Sequence, residues 1–263
     1  MRAIHKRFIH ILNLANNTME SVDFLNKYRS KPSDFTRRRK LGFKEIMVFI
    51  LSGRKNSLQS ELNHYLDLLN MKDQTYSKQA FSKGRQRIKP EAFKELNDIA
   101  VNDVYANSET ETYMGYHLLA IDGSKYNLPS NNELKSIFGE QITSGESQIQ
   151  ALGSCVYDVL NGMIVDARFG SCKDSERIHA AQMIAKLDDS VITNPLYIMD
   201  RGYPASGLLQ LIEQRNQKYL FRCDKTFLKG IKWNEDDDIV SYTFKKTGIT
   251  STFRLVKIDL PND

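Results

Sequence analysis

Apolar residues recur at helical spacing through the first 110 residues of the chain. The stretch "KLGFKEIMVFILSG" is apolar almost all round, which predicts a central packed helix that ends near Gly53. The stretch "SKQAFSKGRQRIKPEAFKELNDIAVNDVY" predicts two more helices that divide at Pro90. The stretch "NSLQSELNHYLDLLN" begins with the capping-box pair Asn56 and Gln59 and then has one apolar face: Leu58, Leu62, Tyr65, Leu66 and Leu69. This pattern predicts a helical region over residues 1–110, with a polar linker at 107–115.

The pattern changes to short apolar runs after His117. The runs "HLLAI", "PLYIM" and "KYLF" predict strands, and Asn161-Gly162 lies between two apolar runs as a hairpin signal. The stretch "DSERIHAAQMIAKLDD" predicts a helix whose apolar face carries Ile178, Ala181, Ile184 and Leu187. The order predicts an α/β core over 111–263, a mixed sheet with flanking helices. The alternating pattern from about residue 225 predicts a small β-rich section.

Composition narrows the class of protein. The chain is 41% hydrophobic and 26% charged, as is usual for globular proteins, and no apolar run approaches the roughly 20 residues that span a bilayer. Three separated cysteines and five histidines without ligand spacing argue against a disulfide scaffold or a zinc site. We therefore predict a cytoplasmic protein without a membrane partner.

Positive charge is concentrated in the N-terminal region. Residues 1–110 hold 20 Lys and Arg against 12 Asp and Glu, a net of +8, whereas the whole chain carries +5. A positive region suits a partner with a phosphate backbone, although ordinary soluble domains also have basic faces. The candidate contacts lie in two basic segments: Arg37, Arg38, Arg39 and Lys40, then Lys83, Arg85, Arg87 and Lys89.

Two predicted strands end in an aspartate followed closely by a glycine. Asp122 follows "LLAI" and Asp200 follows "LYIM". If these strands are neighbours, both carboxylates lie at one edge of the sheet, where their repulsion favours a bound cation such as Mg²⁺ or Mn²⁺. The alternative is that both are turn acids. Arg201 is a candidate phosphate contact or the partner of a nearby acid, and Asp174 and Glu176 are interpreted as helix-start acids.

The stretches "AIDGSKYNLP" and "YIMDRGY" resemble the first and second catalytic-acid motifs of DDE transposases, in the insertion-sequence-four group of bacterial elements. The N-terminal stretch "DFTRRRKLGFKEIMVFILSGRKNSLQSELNHYL" also resembles the helical region of these proteins. The resemblance implies a ribonuclease-H-like core, Asp122 and Asp200 as ligands of Mg²⁺ or Mn²⁺, and Arg201 beside the scissile phosphate. It also implies phosphodiester hydrolysis and strand transfer at the ends of an insertion sequence. The implied partner is double-stranded DNA in the bacterial nucleoid, bound by a homodimer of the full-length protein.

The third acid of this family is not found. It is a glutamate on a helix, in a Tyr-Arg-Glu-Lys pattern after a β-rich insertion, and here Tyr219 and Arg222 are followed by Thr226 and Trp233. The later glutamates, Glu213 and Glu235, lie outside the pattern. We therefore expect a C-terminally truncated transposase with an incomplete core and little activity alone. The alternatives are a non-catalytic DNA-binding remnant or competitor, and a nuclease whose third acid lies elsewhere in this chain.

Overall fold

The computed structural model divides the chain into two compact units, Met1–Ser108 and Glu109–Asp263. It describes residues 2–37, 40–53, 55–71, 74–107, 109–143, 146–223, 236–245 and 247–258. None of the helices in these ranges is long and apolar enough to cross a membrane.

The described part of the first unit is helical. Its elements are α1 (Arg2–Glu20), α2 (Val22–Tyr28), α3 (Phe43–Leu51), α4 (Leu58–Leu68), α5 (Lys78–Arg85) and α6 (Glu91–Asn107). The predicted central helix is α3, which buries Phe43, Ile46, Met47 and Phe49 in one apolar cluster. The chain leaves α3 through Gly53, whose φ of 70° is accessible to glycine at little cost.

Two polar contacts define how helices of this unit begin and pair. The predicted capping-box pair of Asn56 and Gln59 is wrong by one residue, because the N-cap of α4 is Ser57, whose hydroxyl accepts from Ser60 N.

The other contact joins two helices: Lys27 and Tyr28 of α2 both donate to the carboxylate of Glu95 on α6. These two hydrogen bonds, the Lys27 bond first, hold the pKa of Glu95 below its usual value.

The second unit is built around a mixed sheet. Its elements are β1 (His117–Asn127), α7 (Asn132–Phe138), β2 (Glu140–Thr143), β3 (Glu146–Asp158), β4 (Met163–Ser171), α8 (Glu176–Lys186), β5 (Pro195–Met199), α9 (Ser206–Gln214), β6 (Lys218–Phe221), β7 (Asp237–Thr243) and β8 (Thr250–Val256). The sheet runs β2-β3-β1-β5-β6, and β4 also pairs with β3. The strands β1, β5 and β6 are parallel to one another, whereas β3 is antiparallel to β1, β2 and β4. This topology confirms the predicted ribonuclease-H-like mixed sheet with flanking helices.

The β3–β4 hairpin forms where Asn161-Gly162 predicted it. The buried carboxylate of Asp158 accepts from the backbone N–H groups of Leu160 and Asn161, at 3.1 and 3.0 Å. Gly162 has a φ of 68°, which the turn requires. The hairpin therefore forms because one side chain satisfies the turn backbone and one glycine supplies the left-handed conformation.

The buried face of α8 differs from the predicted one. Its buried residues are His179, Ala180, Met183 and Ile184, whereas Ile178 is 56% exposed. The helix packs on the sheet with a different face from the one that the apolar pattern predicted, because His179 has a buried partner. Its Nδ1 lies 3.0 Å from the Ser154 hydroxyl on β3. A hydrogen-bonded polar side chain can be buried at little cost, so His179 is buried where the apolar pattern predicted Ile178.

The strands β7 and β8 form a separate antiparallel pair within the region predicted to be β-rich. Arg254 on β8 donates twice to Asp237 on β7, at 2.8 and 2.6 Å. Phe253 packs with Leu209 of α9 in a small apolar cluster. The start of the predicted β section, at about residue 225, lies outside the described residues.

Candidate functional site

The two aspartates predicted as ligands occupy adjacent positions in the sheet. The parallel pairing of β1 with β5 ends at Ile121 and Met199, and Asp122 and Asp200 are the next residue on each strand. Adjacent strands lie about 4.8 Å apart, so the two side chains start from neighbouring points at one edge. Both residues are exposed. The register alone thus brings together two acids that are 78 positions apart in the sequence.

The prediction that the first strand ends at its aspartate is wrong. The strand β1 continues to Asn127, and Asp122 lies opposite Cys155 of β3 within an unbroken antiparallel ladder. Only the β5 side of the strand becomes free at this point, because β5 stops at Met199. Asp122 therefore stands on a strand held on one side, which fixes its backbone more firmly than a turn would.

Local backbone groups orient both carboxylates. Asp122 Oδ1 accepts from Gly123 N at 2.8 Å, and Asp200 Oδ1 accepts from Gly202 N at 2.7 Å. The second oxygen of each carboxylate has no hydrogen-bond or ion-pair partner among the described residues. Each aspartate thus has one oxygen held by the main chain and one available for a ligand.

A buried tyrosine lies near enough to the aspartates for their charges to act on it, and it was not identified from the sequence. Tyr203 is 0% exposed, and its hydroxyl finds no hydrogen-bond partner within the described residues. Burial raises the pKa of this hydroxyl, and the negative charges of Glu176, Asp122 and Asp200 raise it further. The signal in the sequence was the tyrosine of the "DRGY" motif, which places this ring three residues after Asp200.

The first turn of α8 reaches both aspartate-bearing segments. A Cβ placed on Gly123 would lie 2.9 Å from Cγ and 3.1 Å from Oε1 of Glu176, so this side chain lies directly over β1. Arg177 Nε donates to the carbonyl of Gly202 at 2.7 Å, next to Asp200. Glu176 does begin the helix, as predicted, but the prediction missed that it lies over Gly123, the residue that follows Asp122.

Cationic side chains line a cleft beside Glu176, and a further one follows Asp200. A cleft of about 280 Å³ is lined by Lys125, Leu152, Cys172, Asp174, Ser175, Glu176, Arg177 and Gly202. Asp174 is held at the edge of this cleft, since its Oδ2 accepts from Ser171 N at 2.8 Å. Arg201 is exposed in the turn after Asp200 and has no ion pair within the described ranges. The salt bridge considered for Arg201 is therefore not seen, and its guanidinium is accessible to a ligand.

The donor set suits a hard divalent cation, although the side chains as they lie do not form a three-ligand site. Among the described residues, no group of three or more His, Cys, Asp and Glu side chains is arranged to hold a metal ion. Carboxylate oxygens nevertheless match Mg²⁺ and Mn²⁺, and two adjacent carboxylates need a cation to offset their repulsion. The two aspartates thus fit the predicted metal in chemistry.

Glu213, one of the two glutamates after Asp200, makes structural contacts that do not involve the aspartates. Glu213 on α9 accepts from the Tyr219 hydroxyl at 2.8 Å and from the Ser251 hydroxyl of β8 at 2.9 Å. Both oxygens are committed to joining α9, β6 and β8. Tyr219 itself lies on a strand, so the partial match of Tyr219 and Arg222 does not correspond to the helical motif of the family. Glu235 lies outside the described residues.

The residues proposed to contact DNA differ in how available they are. Lys83 and Arg85 form the basic last turn of α5, are exposed, and make no ion pair with any described residue. Arg87 is 3.5 Å from Asp34, and Lys89 donates to the carbonyl of Lys27 at 3.0 Å.

In the other basic segment, Lys40 donates to the carbonyl of Thr75 at 3.0 Å, and Arg37 is exposed. Arg38 and Arg39 lie outside the described residues. Arg37, Lys83 and Arg85 are therefore the exposed cations of the two segments that have no partner within the described ranges.

Comparisons with known proteins match this chain to transposases. The family model described as "Transposase DDE domain" matches residues 114–253. The chain is 28% identical over 180 residues to the transposase InsG for insertion sequence element IS4 of Escherichia coli (strain K12). That alignment covers 66% of this chain and 39% of InsG, so the chain spans well under half of that relative. Among solved structures, the piggyBac transposase synaptic complex with hairpin DNA matches 95% of this chain and 62% of that chain, at 10% identity and a TM-score of 0.43.

Proposed function

Because this chain belongs to the transposase DDE domain family, we propose that its second unit carries part of a metal-dependent phosphoryl-transfer site. The proposed reaction is phosphodiester hydrolysis and strand transfer at the ends of an insertion sequence. Asp122 and Asp200 are the proposed metal ligands, and Mg²⁺ or Mn²⁺ is the proposed metal. The proposal fits the transposase InsG as a relative, which is named for the insertion sequence element IS4.

One observation carries this proposal. The parallel register places Asp122 and Asp200 one residue beyond the last pair of β1 and β5, so the two acids stand side by side. Two aspartates that only end strands need not be neighbours in the sheet. Two ligands of one cation must be neighbours. Their free oxygens then offer a cation two hard donors that the backbone has already oriented.

The protein groups around the acids have separable tasks. A divalent cation, when bound, supplies positive charge that stabilises the phosphate during displacement. The N–H groups of Gly123 and Gly202 hold the aspartates in orientation, which preserves the position of the reacting groups. Arg201 is exposed at the same edge, and its planar guanidinium suits a bidentate contact with a phosphate.

The first unit is proposed to bind the DNA backbone. The last turn of α5 presents Lys83 and Arg85 to solvent, and the region has a net charge of +8. Each phosphate neutralised by such a side chain releases counterions, which favours binding at low salt. This contact is independent of sequence, so it supplies affinity for duplex DNA and not recognition of particular ends.

Calorimetric titration of the 263-residue chain with Mn²⁺ tests the proposed metal site. The chain is expected to bind Mn²⁺, and Asp122→Asn or Asp200→Asn is expected to remove most of the binding. Asp67→Asn is a matched control, because Asp67 is an exposed aspartate on α4 in the other unit. Binding that survives both site substitutions would refute the metal site. Duplex-DNA binding without any Mn²⁺ binding would favour the non-catalytic DNA-binding alternative.

A further inference from the structure

Glu176 approaches the backbone of β1 so closely that a side chain at position 123 would collide with it. Its Cγ, Cδ and Oε1 lie 2.9, 3.0 and 3.1 Å from the point where Gly123 would carry a Cβ. Real Cβ atoms essentially never approach closer than 3.0 Å, so only a glycine after Asp122 leaves room for Glu176 in this position. The sequence thus places a third carboxylate beside the residue that follows Asp122.

This third carboxylate lacks a partner. Glu176 is half-buried, and it forms no hydrogen bond or ion pair with any described residue. The neighbouring Arg177 donates to the carbonyl of Gly202 instead. A half-buried carboxylate near two others is unfavourable unless a cation is shared among them. The start of α8 offsets part of this cost through the helix dipole, by about 0.3–1 kcal/mol at an exposed site.

An independent observation points to a ligand at the same place. The Tyr203 hydroxyl is fully buried and unpartnered within the described residues, although a buried hydroxyl normally has a partner. It lies where the charges of Glu176, Asp122 and Asp200 all act on it. A donor in this position is suited to a carboxylate that moves when a cation binds, or to a water on that cation.

The helix that carries Glu176 is firmly anchored. One turn further along α8, His179 Nδ1 lies 3.0 Å from the buried Ser154 hydroxyl on β3. On the other side of this imidazole, Asp174 Oδ2 is 3.5 Å from Nε2. Ser154 is only 4% exposed, so these three residues fix the helix and do not offer a nucleophile. The backbone of Glu176 is therefore positioned, while its side chain can still change rotamer.

We propose that Glu176 is a third carboxylate ligand of the divalent cation, and that Tyr203 is a positioning residue for it. This inference rests on the proposed function, since it needs a cation at Asp122 and Asp200. As the side chains lie, no three described acids are arranged to hold a metal ion. Ligation thus requires the Glu176 carboxylate to turn toward the aspartates, which an unpaired glutamate can do at low cost.

Titration of the full 263-residue chain with Mn²⁺ separates this inference from the proposed function. Glu176→Gln is expected to weaken Mn²⁺ binding by about tenfold or more, because loss of even an outer-shell partner costs 10–100-fold. The matched control is Glu133→Gln, which removes an exposed first-turn glutamate from α7. Circular dichroism of each variant checks that the fold is retained, so that a binding loss reports on the site.

Each outcome has one meaning. A loss in Glu176→Gln with none in Glu133→Gln supports the inference. Undiminished binding by Glu176→Gln, together with loss in Asp122→Asn, would overturn the role of Glu176 and leave the proposed metal site intact. Absence of Mn²⁺ binding by the unmodified chain would overturn both.

The variant Tyr203→Phe tests the hydroxyl through the midpoint of thermal unfolding, measured with and without Mn²⁺. A role in metal binding and a purely structural role predict different changes in these two values. With no metal added, removal of an unpartnered buried hydroxyl is expected to raise the midpoint of thermal unfolding. The further rise that Mn²⁺ induces is expected to shrink, because the donor proposed to position Glu176 is gone. A lowered midpoint without metal, with an unchanged Mn²⁺-induced rise, would show that the hydroxyl serves only the fold.

Discussion

Replacing Gly123 with alanine is expected to displace the Glu176 side chain from its position over β1 and so to hinder its proposed turn toward the aspartates. The new Cβ would meet Glu176 Cγ at 2.9 Å, which is 0.5 Å short of the 3.4 Å at which ordinary contacts begin. The backbones of β1 and α8 are held by the sheet ladder and by the His179 contact. The flexible end of the glutamate must therefore make the adjustment.

This substitution is expected to lower Mn²⁺ affinity while changing the free energy of unfolding only a little. Overpacking costs about 1–3 kcal/mol in a rigid core, but here a half-buried side chain can move, and alanine in a strand regains about 0.5–1 kcal/mol over glycine. The free energy of unfolding should therefore change by less than about 1 kcal/mol. Ligands must be held within about 0.5 Å of their working geometry, so Mn²⁺ affinity should fall by about tenfold.

Chemical unfolding and calorimetric Mn²⁺ titration measure these two effects. Gly207→Ala is the matched control, because no atom lies within 4 Å of its added Cβ. The double variant Gly123→Ala with Glu176→Gln should bind Mn²⁺ no more weakly than Glu176→Gln alone, since both changes act through one carboxylate. Unchanged affinity in Gly123→Ala, or additive losses in the double variant, would refute the reasoning.

Three further outcomes are expected. Glu95→Gln should lower the free energy of unfolding by less than about 1 kcal/mol near pH 7, because the ion pair is exposed to solvent. Since the folded-state pKa of Glu95 lies below its usual value, this difference should vanish as acid protonates Glu95, and its persistence in acid unfolding curves would contradict the assignment. Duplex-DNA binding measured against salt should lose about one unit of logarithmic slope for Lys83→Ala and for Arg85→Ala, but none for the exposed Lys218→Ala of β6. Strand cleavage by this chain with Mg²⁺ and a DNA end should stay at background, because the Glu of the Tyr-Arg-Glu-Lys pattern is not among its residues; Mg²⁺-dependent cleavage that Glu176→Gln abolishes would show that Glu176 replaces it.

The sheet and the aspartate pair could be predicted because they depend on local signals. A short apolar run followed by an acid and a glycine marks a strand that delivers a side chain to an edge, and Asn161-Gly162 marks the hairpin beside it. The family motifs then selected Asp122 and Asp200 from many acids. The extent of β1 beyond Asp122 was missed, because its continuation depends on pairing with β3, about 30 residues later. The predicted apolar face of α8 failed for a similar reason, since the partner of His179 is on that same distant strand.

Glu176 and Tyr203 show why a site is harder to predict than a sheet. In the sequence, Glu176 has a sufficient explanation as a first-turn acid, and Tyr203 has one as an ordinary core aromatic. Only the folded chain reveals that neither has a hydrogen-bond partner among the described residues, that Glu176 lies over Gly123, and that the charges of Glu176, Asp122 and Asp200 act on Tyr203. The two aspartates are oriented by main-chain N–H groups, whereas Glu176 has no partner in the part of the chain that the structure describes and can change rotamer. If a cation binds here as proposed, the two oriented oxygens would hold it and the Glu176 side chain would turn toward it, so the rotamer of Glu176 would report whether the site is occupied.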